Sequence, residues 1–192
     1  MNEVKVINVF VSCPRDIKTE LDSIKLIFNQ INKTSGKDKN YRLEFVNWDL
    51  DVYTGIGEDG QDVINSQING KFDILLAIIW QRIGSPTARY KSGTVEEINR
   101  AIEQKLNGEN IELMIYFNSS GPENINDINI DQLVEIRSFQ NELKEKGVLY
   151  KEYDTIEKFE SLLRINLYQQ ISDKLLSPNS IKIKEALVSS PH

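Results

Sequence analysis

One cysteine, Cys13, and one histidine, His192, stand out as the scarcest chemistry in these 192 residues. A single cysteine excludes an intrachain disulfide, and a histidine at the last position leaves none for a catalytic triad, a Cys/His zinc site or a His–Cys dyad. No apolar run approaches the ~20 residues of a membrane-spanning helix. The opening segment MNEVKVINVFVSC passes straight into a strand-like pattern rather than a secretory leader. The expectation is a cytoplasmic protein without a metal and without membrane contact. Basic residues are also short: 29 acids against 23 bases give a net charge of −6, which argues against direct nucleic-acid binding. Catalysis, if any, must run on carboxylates, hydroxyls, arginine or lysine.

What is present is a globular composition, 40% hydrophobic and 27% charged, in a length that suits one domain. Strand-like stretches at Val4–Val11, Arg42–Trp48, Phe72–Trp80, Ile111–Phe117 and Val148–Tyr153 alternate with helical periodicity. Ile17, Leu21, Ile24, Phe28 and Ile31 recur at helical spacing, as do Leu133, Ile136, Gln140 and Leu143, and Ile156, Phe159, Leu163, Leu167 and Ile171. A short helix is expected around Val63 to Ile68, and another opened by Ser92-Gly93-Thr94-Val95-Glu96-Glu97, with Val95, Ile98, Ile102 and Leu106 inward. The alternation predicts an α/β three-layer sandwich with a five-stranded parallel sheet in the order 2-1-3-4-5. Arg42 and Glu44 put the second strand towards an edge, and the crevice should open between strands 1 and 3. Residues 1–176 form the domain, and 177–192, with two prolines and several serines, read as a flexible tail or linker stub.

Ligands of such sheets bind at the carboxyl ends of the strands, where helix N-termini offer free N–H groups. That rim collects Ser12, Cys13, Pro14 and Arg15; Trp48 and Asp49; Trp80, Gln81 and Arg82; Thr94 and Glu97; and Asn118. Tryptophan can stack on a base or nicotinamide, arginine and a helix N-terminus can hold phosphate, and the carboxylate can take a ribose. The set points to a nucleotide-like ligand. Glu97, expected in the first helical turn, has a second reading: Thr94-x-x-Glu97 has the spacing of a capping box. Glu96 reads as a flanking solvated residue, and a register error of one would exchange it with Glu97. Cys13 reads as a small buried thiol, since Thr19 stands where a phosphatase loop needs arginine. Gly55-Ile56-Gly57-Glu58-Asp59-Gly60 matches G-x-G-x-x-G, but its acids would repel a pyrophosphate, so it reads as a glycine-rich loop.

The segments Val9-Phe10-Val11-Ser12-Cys13-Pro14-Arg15-Asp16, Trp48, Phe72-Asp73-Ile74 leading into Trp80-Gln81-Arg82-Ile83-Gly84, and Ser92-Gly93-Thr94-Val95-Glu96-Glu97-Ile98 resemble the TIR-like domains of bacterial defence and signalling proteins. The resemblance covers about the first 175 residues. Gly93, Thr94, Glu97 and Ile98 are also similar to the G-T-x-x-E-I element of nucleoside 2-deoxyribosyltransferases, which share the flavodoxin-like architecture. The resemblance implies that Glu97 is an essential glutamate acting on an N-glycosidic bond. It further implies that Ser12 to Arg15 line a pocket and that Asp49 to Gln61 form the loop that gates the pocket and mediates head-to-tail assembly. The expected activity is NAD+ hydrolysis, with NAD+ as substrate rather than cofactor. Glu97 would be catalytic, and Ser12, Arg15, Trp48, Trp80, Arg82 and Thr94 would bind substrate. Activation by self-assembly as a homo-oligomer in antiphage defence is expected, with a C-terminal sensor domain or partner protein. A non-enzymatic adaptor and a deoxyribosyltransferase or N-glycosidase are the alternatives.

Overall fold

A computed structural model of the chain describes residues 4–46, 72–84, 92–122 and 124–175. Trp48, Asp49, the glycine-rich loop, the helix expected at Val63 to Ile68 and the tail lie outside the described residues. The described strands are β1 (Lys5–Ser12), β2 (Tyr41–Val46), β3 (Ile74–Ile79), β4 (Glu112–Asn118) and β5 (Lys151–Tyr153). The α-helices are α1 (Lys18–Ile31), α2 (Gly93–Leu106), α3 (Ile130–Glu145) and α4 (Ile156–Gln169). Short π-helical turns follow α1 at Asn32–Gly36 and α4 at Gln170–Leu175.

All strand pairs are parallel and the sheet order is β2-β1-β3-β4-β5, a flavodoxin-like fold. Every residue of β3, Ile-Leu-Leu-Ala-Ile-Ile, is buried, as a central parallel strand covered on both faces requires. Alternation divides its side chains between two cores. Ile74, Leu76 and Ile78 join Val9, Val11, Ile24, Phe28, Phe159 and Leu163 beneath α1 and α4. Leu75, Ala77 and Ile79 join Phe10, Ile98, Ala101, Ile102, Ile136 and Phe139 beneath α2 and α3. The even residues of β1 thus face α2, and this parity aims Ser12 at that helix.

β2 is an edge strand, as Arg42 and Glu44 suggest, and those two side chains form an ion pair with each other at 2.8 Å. Asn32 pairs with the backbone of β2 through both ends of its amide: Nδ2 donates to Leu43 O at 2.9 Å, and Leu43 N donates to Oδ1 at 2.8 Å. That occupies two groups which would otherwise template another strand. At the opposite end of the sheet from the rim, Asp73 Oδ2 accepts from Asn8 N at 2.9 Å and joins β3 to β1.

Several local expectations shift. β5 is shorter than Val148–Tyr153, and β1 and β4 each run one residue further, to Ser12 and Asn118. Leu106 is not inward: it is 80% exposed, and Ala101 completes the buried stripe of α2 instead. No helix among the described residues is long and apolar enough to cross a membrane.

Candidate active site

The N-terminus of α2 is built by Ser92, which has extended backbone as the N-cap residue while its Oγ accepts from Val95 N at 3.2 Å. The same hydroxyl donates to Ile83 O, tying the helix to the segment that follows β3. Gly84 makes this approach possible. Its φ is +112°, and a Cβ there would lie 2.7 Å from Ser92 Oγ and 3.4 Å from Thr94 Oγ1.

With Ser92 as cap, Gly93 is the first helical residue, Val95 occupies the capping-box position and Glu97 is the fifth residue of the helix. The Thr94-x-x-Glu97 capping box is therefore not formed, and Glu97 opens the second turn rather than lying in the first. Thr94 is buried against Gly84. Glu97, 9% exposed, instead meets the end of β1, where Ser12 Oγ donates to its Oε2 at 2.5 Å. Ser12 is itself fully buried and pairs with Ala77 of β3, so the contact sits at the β1–β3 crevice. Glu96 is 2% exposed, which corrects its reading as a solvated residue.

The other candidates distribute around this centre. Arg15 and Arg82 are exposed, and Cys13 is half-buried against the α1–α4 core rather than fully buried. Arg82 is tied to Asp16, whose Oδ2 accepts from Gln81 N at 3.2 Å. Burial raises the Asp16 carboxyl above its ordinary range, opposed by the backbone N–H groups of Asp16, Gln81 and Arg82 and by the Arg82 charge. Trp80 is half-buried, and its Nε1 donates to Ser120 O at 2.9 Å beyond the end of β4.

A second polar cluster joins α1 to β4 and β5, and of its members only Asn118 is marked by its place on the rim. Glu20 of α1 is buried, and its Oε1 accepts from Tyr153 Oη at 2.7 Å and from Asn118 Nδ2 at 3.1 Å. Burial and then the neighbouring Glu20 push the Tyr153 phenol well above its usual range. The signal lay in α1's spacing: Glu20 falls three residues after Ile17 and four before Ile24, on the apolar face. A carboxylate there needs buried donors.

No family model matches the chain, and no curated protein matches it. Among solved structures it is similar to the apo form of translation elongation factor SelB from Methanococcus maripaludis, at 14% identity and a TM-score of 0.41. The likeness covers 87% of this chain but 36% of that one, so the chain spans about a third of that protein's length, and at this level it carries no functional argument.

Proposed function

We propose that this chain is a TIR-like NAD+ hydrolase in which Glu97 is the catalytic carboxylate. The observation that carries the reading is the buried Ser12–Glu97 hydrogen bond of 2.5 Å at the carboxyl end of the sheet. A glutamate held by a strand-end serine at the carboxyl end of the sheet suits a role towards a ligand in the crevice.

Cleavage breaks the bond between the ribose C1′ and the nicotinamide nitrogen, and the electron pair leaves with nicotinamide, which becomes neutral. Positive charge develops on C1′ and the ribose ring oxygen. The Glu97 carboxylate stabilises that charge and accepts hydrogen bonds from ribose hydroxyls, while Ser12 keeps it oriented. Water adds to C1′ and releases a proton, giving ADP-ribose. The leaving group needs no protonation, which fits the absence of an internal histidine. Arg15, Arg82 and Thr94 lie on neighbouring elements and are substrate-binding candidates, whereas Trp80, also expected to bind substrate, lines a cavity that neither Ser12 nor Glu97 reaches. On the strength of the sequence resemblance, the reading extends to activation by self-assembly in bacterial defence.

The test is NAD+ consumption with product identification, comparing the wild type with Glu97→Gln. The expected result is nicotinamide and ADP-ribose from the wild type and almost no turnover from a folded mutant. Base exchange onto a nucleoside without hydrolysis would assign the glutamate to a deoxyribosyltransferase instead.

A further inference from the structure

A cavity of about 510 Å³ opens on the β4–β5 side of the carboxyl-terminal rim, between the chain beyond β4 and helix α3. Neither Ser12 nor Glu97 lines it. Its volume lies in the range of small-molecule sites, roughly 300–1,000 Å³. Trp80, Phe117 and Ile136 supply apolar wall, and the bond from Trp80 Nε1 to Ser120 O fixes the indole in place. Gln81 also lines the cavity, and its Nε2 is buried with no hydrogen-bond partner among the described residues. A buried donor left unpaired is costly, and an acceptor on a ligand would offset that cost.

The rim carries opposite charges. Arg137 is exposed and forms no ion pair among the described residues, and Glu152 Oε1 accepts from Gln140 Nε2 at 3.1 Å. We propose that this cavity binds a mononucleotide at a site separate from the Glu97 centre. The base lies against the apolar wall and offers an acceptor to Gln81, the phosphate meets Arg137, and ribose hydroxyls donate to Glu152. The segment from Trp80 to Gly84 joins the two sites. Ile83 N donates to Gln132 Oε1 of α3 at 2.9 Å, and Ile83 O receives the hydroxyl of the α2 cap, Ser92.

AMP is the probe. In Trp48→Phe protein Trp80 is the sole indole, and titration should change its emission saturably. Calorimetric titration of the wild type provides a second readout if that substitution disturbs folding. Arg137→Ala, at an exposed position, should weaken AMP roughly tenfold or more. Glu97→Gln should bind AMP as the wild type does, with or without saturating NAD+, and this holds even if Glu97 has no role in NAD+ hydrolysis. No saturable binding at millimolar AMP, or equal affinity in Arg137→Ala, would overturn the site. Displacement of AMP by NAD+ in Glu97→Gln would overturn its separateness.

Discussion

At the scale of single residues, Glu97 is defined by its bond to Ser12 across 85 residues of sequence. Ser92 caps α2, and the Glu97 carboxylate accepts from Ser12 at the end of β1. Removing that donor leaves the carboxylate in place but less well oriented. Ser12→Ala should therefore lower NAD+ turnover roughly 10- to 150-fold, the range of a charge-assisted hydrogen bond, without abolishing it. Steady-state kinetics on folded mutant would check this, and unchanged turnover would count against an orienting role. Asp16 makes a separate prediction. Its folded pKa lies above the ordinary 3.8, so the protonated carboxyl favours the fold. That stabilisation is complete below the unfolded value and is lost as pH rises through the folded one. Denaturation across pH should thus show Asp16→Asn gaining stability relative to wild type between acid and neutral pH. A pH-independent difference would contradict the assignment.

At the scale of elements, α2 is seated by two residues that make no contact with a reacting atom in this account. Gly84 at φ +112° lets the Ser92 hydroxyl reach Ile83 O. Gly84→Ala combines backbone strain with a clash and should cost about 1–3 kcal/mol. Ser92→Ala should cost about 0.5–2 kcal/mol through the lost cap, towards the upper end because Ile83 O also loses its donor. Chemical denaturation measures both, and a neutral effect at either position would refute this seating. The helix itself was legible from its apolar spacing, but its first turn was not. Ser92 and Thr94 are both able to cap, and what selects Ser92 is Ile83, nine residues earlier, together with a glycine conformation that spacing does not encode. That two-residue change in register moves Glu97 from the first turn to the second. Glu96 is buried for a related reason: helical projection ranks one face against another, whereas the packing around α2 covers more than its apolar stripe.

At the scale of the whole molecule, the sheet order follows from right-handed crossovers with short connections, and contrasts between strands agree with it. The unbroken apolar run Ile74–Ile79 calls for cover on both faces, while Arg42 and Glu44 place their strand towards an edge. Leu76 lies in the α1–α4 core, and Leu76→Ala should cost about 2–5 kcal/mol, a loss that equilibrium denaturation would detect directly. The chemistry was less legible because it depends on side chains distant in sequence: Ser12 and Glu97 are 85 residues apart, and Glu20 and Tyr153 are 133 apart. Parallel pairing brings such residues to one rim. Periodicity identifies the strands, but it does not select which polar groups will meet there. The measurement that tests the central claim most directly is nicotinamide release from NAD+ over a wide series of protein concentrations, for the wild type beside Glu97→Gln. Release that climbs more than linearly with concentration and vanishes in the folded mutant is the predicted result. Undiminished release by folded Glu97→Gln, or none from the wild type at the highest concentration, would contradict it.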